Sequence, residues 1–320
     1  MLQFDLDDQA GVMYAIHTFV DVCLNFDISD EAFIFNLERL YCAFEAFKQE
    51  GLEYAASLRA FIAVTEHVDS QRGMLSFGKY LSGLSIGEIK ALRRILHAHR
   101  GLIRDEIKSF ARRKELNRDA LLDEFEGAIK GYYSVLVIRV DLSYSKDSMS
   151  EITVNDFYQH IGKLRDLITD KNGYFDALLT YAIALEHGIT KGFHVHLAFV
   201  INESKYRNDY NIAKWVIEKW QEITLGKGYG WNNNTTENKK NYYDQGTLGI
   251  GVIRRTEPDQ GNNALKTIAY LSDPEKYRQT YWLNHKDVEL FIKEIISITV
   301  ALYLILRKIE ELKNGVRRPL

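Results

Sequence analysis

From Asp8 to about Lys130, apolar positions recur at intervals of three and four, as in Phe33, Leu37, Leu40, Phe44 and Phe47. That spacing lines one face of a helix, so this whole stretch reads as helical, with no strand signal in it. Ser29 ahead of Asp30 and Glu31 starts one helix. Ser85-Ile-Gly-Glu88 has capping-box spacing before a long basic helix, and Asn117 begins another. At Tyr132 the pattern changes to β-branched runs and alternation. Strands are expected over Ser134–Leu142, Leu179–Glu186, 193–201 and Thr247–Ile253. Helices are expected over Val154–Ile168, Asp209–Thr224 (carrying Trp215 and Trp220), Asn263–Leu271 and Lys286–Lys313, and the polar stretch Gly226–Gln245 reads as a long loop. The order β-α-β-β-α-β-α predicts an α+β fold: a ferredoxin-like antiparallel sheet with one added helix, an all-helical N-terminal region and a C-terminal helix. The expected divisions are 1–130, 131–282 and 283–320.

Composition narrows the setting. Only 3 prolines occur, which suits long helices. The N-terminus is acidic without an apolar signal core, and the apolar run near Ile295–Leu306 is broken by Ser297 and Thr299. It falls short of the ~20 residues a membrane span takes. A cytoplasmic protein with no membrane partner is expected. The 2 cysteines, Cys23 and Cys42, sit in helical stretches and read as free thiols without zinc spacing. The net charge of -3 is not the bulk signature of a nucleic-acid binder. Its distribution is uneven, however: residues 91–118 hold nine lysines and arginines against three carboxylates. That segment could grip duplex DNA or pack against the acidic N-terminal helices.

The sharpest chemical signal is Gly192-Phe-His194-Val-His196-Leu-Ala-Phe-Val200. On a strand, residues i and i+2 share a face, so the two imidazoles stand side by side. In an antiparallel hairpin turning near Thr190, Glu186 falls on that same face. Two imidazoles and a carboxylate leave open positions, which suits Mg²⁺ or Mn²⁺ better than a closed structural zinc. By contrast, His97-Ala-His99 lies on a predicted helix, where i and i+2 diverge by ~200°. A histidine-triad hydrolase would need a third histidine where Ala198 stands, and a two-histidine phosphoesterase would need a second copy of the motif.

A metal on an open sheet beside a tyrosine-bearing helix suggests phosphodiester chemistry. Tyr270 is the leading nucleophile, with Lys266 one turn earlier on the same helix face to offset phosphate charge. Lys276 and Arg278 are alternatives for that role, and Tyr277 and Tyr281 are reserve nucleophiles.

These segments resemble the HUH endonucleases. More closely, Ile138-Arg-Val-Asp141, Leu185-Glu-His-Gly, Gly192-Phe-His-Val-His-Leu, Trp215, Trp220 and Ala269-Tyr-Leu are similar to inovirus gene-II-type replication initiators and their prophage-encoded relatives, over about residues 132–280. The resemblance implies a metal-dependent, site-specific single-strand DNA endonuclease. His194 and His196 would be its metal ligands and Tyr270 would become joined to a DNA 5′-phosphate. The freed 3′-OH would prime rolling-circle replication of a phage, prophage or plasmid. Asp141 matches the family's first motif. Its partners would be single-stranded or hairpin DNA at an origin and host replication proteins. Lys205, Arg207, Lys239, Lys240, Arg254 and Arg255, with Tyr242 and Tyr243, are candidate DNA contacts in loops and at strand ends. Family members carry a lysine three residues after the tyrosine, where this chain has Asp273. The alternatives are a non-catalytic nucleic-acid-binding protein of prophage origin on the same fold, or a related tyrosine transposase or relaxase.

Overall fold

The computed structural model describes residues 6, 9–48, 52–188, 192–271 and 283–285. The described residues divide into two compact units: those up to 112 with 283–285, and those from 113 to 271.

The first unit is built from α1 (Gln9–Asn25), α2 (Asp30–Phe47), α3 (Ala56–Gln71), α4 (Phe77–Ser82), α5 (Ile86–Ala98) and the start of α6 (Arg100–Gly131). Ser29 caps α2 by accepting from the Ala32 N–H, and Ser85 with Glu88 forms the expected capping box on α5. Phe33, Leu37, Leu40 and Phe44 are all fully buried, so the three-and-four spacing does mark the core face. Phe19, Phe33, Phe44 and Phe61 meet at ring-centroid distances of 5.6 to 6.4 Å. Three expectations need correction. A short strand, β1 (Leu52–Tyr54), interrupts the helices and pairs with β7 (Leu283–His285). The basic helix is broken at His99, the C-cap of α5. No new helix begins at Asn117, because α6 runs through it. Arg93 lies 4.5 Å over the Phe33 ring and bonds Asp30, and Arg100 bonds the Leu24 carbonyl, so these two basic residues serve packing.

The second unit carries an antiparallel sheet of β2 (Ser134–Tyr144), β3 (Leu178–Gly188), β4 (Gly192–Asn202), β5 (Gly228–Asn232) and β6 (Gly251–Arg254). Its strand order is β3-β4-β2, with β5 and β6 pairing successive halves of the outer edge of β2. On one face, Leu136, Ile138, Val140 and Leu142 are buried, as are Phe157, Ile161, Leu164 and Ile168 of α7 (Val154–Thr169). Val216 and Trp220 of α8 (Asp209–Ile223) complete this layer, and the Trp220 indole donates to the Ser143 carbonyl. On the opposite face, Val135, Val137, Ala182, Ala198 and Val200 share a cluster with Leu121, Phe125 and Ile129 of α6 and with Ala264, Ile268 and Leu271 of α10 (Pro258–Leu271).

The stretch expected to be a long loop holds both β5 and α9 (Thr236–Asp244). The expected C-terminal helix, and the segment with Asp273, Lys276, Tyr277, Arg278 and Tyr281, lie outside the described residues.

Candidate metal centre

In the β3–β4 ladder Glu186 stands directly opposite His194, and in the β2–β4 ladder Asp141 stands directly opposite His196. Residues opposite one another share a face, so three strands deliver Glu186, His194, His196 and Asp141 to one patch. It lies on the face that α6 and α10 cover further along.

His194 Nε2 lies 3.1 Å and His196 Nε2 3.4 Å from the same oxygen, Glu186 Oε2. The other nitrogen of each ring is already committed. His194 Nδ1 is 3.0 Å from the Gly192 carbonyl and His196 Nδ1 is 2.6 Å from Asp141 Oδ1. A carbonyl and a carboxylate only accept, so both Nδ1 atoms carry the hydrogen. In the charged ring each Nε2 donates to Glu186 Oε2; in the neutral ring it presents a lone pair there, and a divalent ion in place of the second ring proton would bridge nitrogen and oxygen. The three ligand atoms lie within 4.8 Å of one another, and all three side chains are buried. Two ligands held ~2.1 Å from one ion at right angles are ~3 Å apart, close to the spacings here. The donor set thus fits a divalent metal, with His194, His196 and Glu186 as its ligands.

Behind the ligands stands a supporting network. Asp141 accepts from His196 and from Asn233 Nδ2 at 3.1 Å, with Arg139 Nε 3.5 Å away. Burial opposes ionisation of Asp141, but the bond from His196, the Arg139 charge and Asn233 together hold its carboxyl down at about 2. For His196, burial disfavours the charged ring, and the hydrogen bonds to Asp141 and Glu186 outweigh it and raise the pKa. Such outer partners orient the ligands and increase their basicity. Asn234 pins the network to the fold. It accepts from the Arg139 N–H and donates to the Val137 carbonyl and to Asp209. The roles of Asn233, Asn234 and Arg139 do not emerge from the sequence; its signals are the run Asn232-Asn-Asn234 and the segment Ile138-Arg-Val-Asp141, in which only Asp141 is singled out.

The other expected residues are more dispersed. Tyr270 is on the last turn of α10, and Lys266 is exposed one turn earlier. That helix touches both β6 and β3, so it crosses the metal-bearing face. Lys205 pairs with Asp176 at 2.7 Å and Arg254 with Glu257 at 3.3 Å. Arg207, Lys240 and Arg255 are exposed. Lys205, Arg207, Arg254 and Arg255 follow the ends of β4 and β6, around the end of the sheet away from the histidines. Lys239 is spent within the fold, at 2.8 and 2.9 Å from the two oxygens of buried Asp209.

A family model, the YagK/YfjJ C-terminal domain, matches residues 106–282, more than half of the chain. The chain belongs to the YagK/YfjJ C-terminal domain family. This is a prophage-associated family, and the matched region contains every residue of the candidate centre. Comparison with curated proteins and with solved structures finds no match.

Proposed function

We propose that this YagK/YfjJ family member is a divalent-metal-dependent, site-specific DNA nickase of the HUH type that initiates rolling-circle replication from a single-stranded or hairpin origin. The observation that carries this reading is the convergence of two imidazole Nε2 atoms on one carboxylate oxygen, each ring fixed from behind. The antiparallel strand order, with α7 and α8 on the opposite face, supports this reading, since a split-βαβ plan is what it requires. The prophage association of the family is in keeping with a replicative element.

A bound Mg²⁺ or Mn²⁺ would polarise the scissile phosphodiester and offset the charge that builds on it. Asp141 and the Gly192 carbonyl keep the two rings aimed. Tyr270 supplies the nucleophile from α10. Its hydroxyl oxygen forms a bond to phosphorus as the bond from phosphorus to the 3′ oxygen breaks. The phenolic proton leaves to solvent, and the released 3′ oxygen takes one up. The products are a 5′-phosphotyrosine link and a free 3′-OH. Lys266, exposed one turn before Tyr270, is the cation that would offset phosphate charge there.

The test is incubation with Mn²⁺ and a randomised pool of single-stranded and hairpin DNA, followed by intact-mass analysis. A covalent adduct is expected from the native chain and not from Tyr270→Phe or Glu186→Gln. Persistence in Tyr270→Phe moves the nucleophile to Tyr277 or Tyr281. No adduct from a protein that binds both Mn²⁺ and DNA removes the nickase and leaves a binding protein.

A further inference from the structure

Strand β5 reads Gly228-Tyr-Gly-Trp-Asn232, an alternation of glycine with a large aromatic residue. The glycines face α8. A Cβ at Gly228 would lie 2.7 Å from Trp220, and one at Gly230 would lie 2.6 Å from Ile217. The strand is therefore pressed onto that helix, and only glycine fits its inner face. The alternation sends Tyr229 and Trp231 to the other face. A one-residue slip would drive both rings into α8, so their direction is fixed.

That other face carries the metal centre. Trp231 stands directly opposite Asp141 across the β2–β5 ladder, and Asp141 stands directly opposite His196. At ~5 Å per cross-strand pair, the Trp231 backbone is ~10 Å from that of His196. The two rings are 50% and 53% exposed, and neither stacks on another aromatic side chain among the described residues. A large apolar surface left open beside a buried polar centre is informative, whereas scattered exposed residues are not. Two neighbouring flat rings that run outward from a phosphate-binding position match successive bases of one strand. Every base has a π-face, so such stacking tolerates sequence.

We infer that Tyr229 and Trp231 are positioning residues: a base-stacking platform that seats the unpaired nucleotides next to the phosphate held at the metal centre. This rests on the reading that the chain acts on single-stranded DNA. A duplex, whose bases are already stacked on one another, would gain nothing from the platform.

The experiment is fluorescence anisotropy with short fluorescein-labelled oligothymidylate, in EDTA so that neither metal nor cleavage enters. An abasic oligomer of equal length serves as the comparison. Trp231→Ala and Tyr229→Ala are each expected to weaken oligothymidylate binding roughly 5- to 100-fold. Trp231→Phe should keep most of the affinity, and the abasic oligomer should bind all variants alike. Unchanged circular dichroism and Mn²⁺ affinity in Trp231→Ala would show that the fold and the centre are intact. Equal oligothymidylate affinity in native chain and Trp231→Ala overturns the platform and leaves the nickase standing. Absence of single-strand binding by the native chain overturns both. Loss in Trp231→Ala with no adduct in the Tyr270 experiment keeps the platform and removes the nickase.

Discussion

His196 is held between two carboxylates, Asp141 on Nδ1 and Glu186 on Nε2, and the two have different duties. Glu186 is placed to share an ion with the ring, while Asp141 orients the ring and feeds it charge. Removing a ligand and removing its support should therefore separate. Glu186→Gln is expected to abolish measurable Mn²⁺ binding by calorimetry. Asp141→Asn keeps an acceptor for the Nδ1 hydrogen but loses the charge and the oxygen that accepts from Asn233, so affinity should fall about 10- to 100-fold. Equal affinity in Asp141→Asn and the native chain would make Asp141 a sheet residue only. The cysteines differ as sharply. Burial pushes the Cys23 thiol up to about 12 against the opposing pull of Arg93, whereas Cys42 is exposed. The thiolate is the reactive form. A thiol reagent at pH 8 should label Cys42 quickly and leave Cys23 until the chain unfolds.

At the scale of elements, close backbone approaches set what can change. A Cβ at Gly249 would lie 2.4 Å from the Asn263 carbonyl carbon and 2.5 Å from the Ala264 nitrogen, both backbone atoms of α10. Backbone cannot rotate aside as a side chain can. Gly249→Ala should therefore cost about 3 kcal/mol in urea unfolding and, by moving the helix that carries Tyr270, reduce adduct formation. In α6, a Cβ at Gly127 meets nothing within 4 Å. Gly127→Ala should stabilise by roughly 0.5–1 kcal/mol through helix propensity, which makes it a control for the substitution itself. The same closeness explains what the sequence hid. The long strands β2, β3 and β4 and the helices α7 and α8 were legible because they bury a continuous or periodic apolar face. The Glu186–His194 pairing was legible because antiparallel register fixes parity about a turn at residue 190. Strand β5 and helix α9 were not. Gly228–Asn232 has no apolar alternation, since glycine, the smallest residue, occupies its inner face, and α9 buries none of its residues fully. Strand β1 has three residues and depends on a partner far away in sequence, β7. Asn233 and Asn234 act through a tertiary contact with β2 that a one-dimensional pattern does not carry.

At the scale of the whole molecule, the two units carry different sensitivities to acid. His17 of α1 is held neutral in the first unit, with Nδ1 3.0 Å from the Ser57 hydroxyl of α3. Burial lowers its pKa from 6.5 to about 4, against the opposing charge of Asp21. Between those values the unfolded chain takes up a proton at this position and the folded chain does not, so acid favours unfolding. The stability tied to neutral His17 is complete above the unfolded pKa and is lost as pH falls from 6.5 towards 4. The whole window is worth about 3 kcal/mol, about three-fifths of it gone by pH 5. In the second unit burial likewise lowers the His160 pKa, while the hydrogen bonds to Asp141 and Glu186 raise that of His196, so the two act in opposite directions on the same fall in pH. Hydrogen exchange corrected for intrinsic rates should therefore show α1 and α3 losing protection between pH 7 and pH 5 while β2 and β4 keep theirs. His17→Gln, which cannot titrate, should flatten that dependence at the cost of some stability at pH 7. If the His17→Gln chain loses protection over the same window, another group carries the acid response.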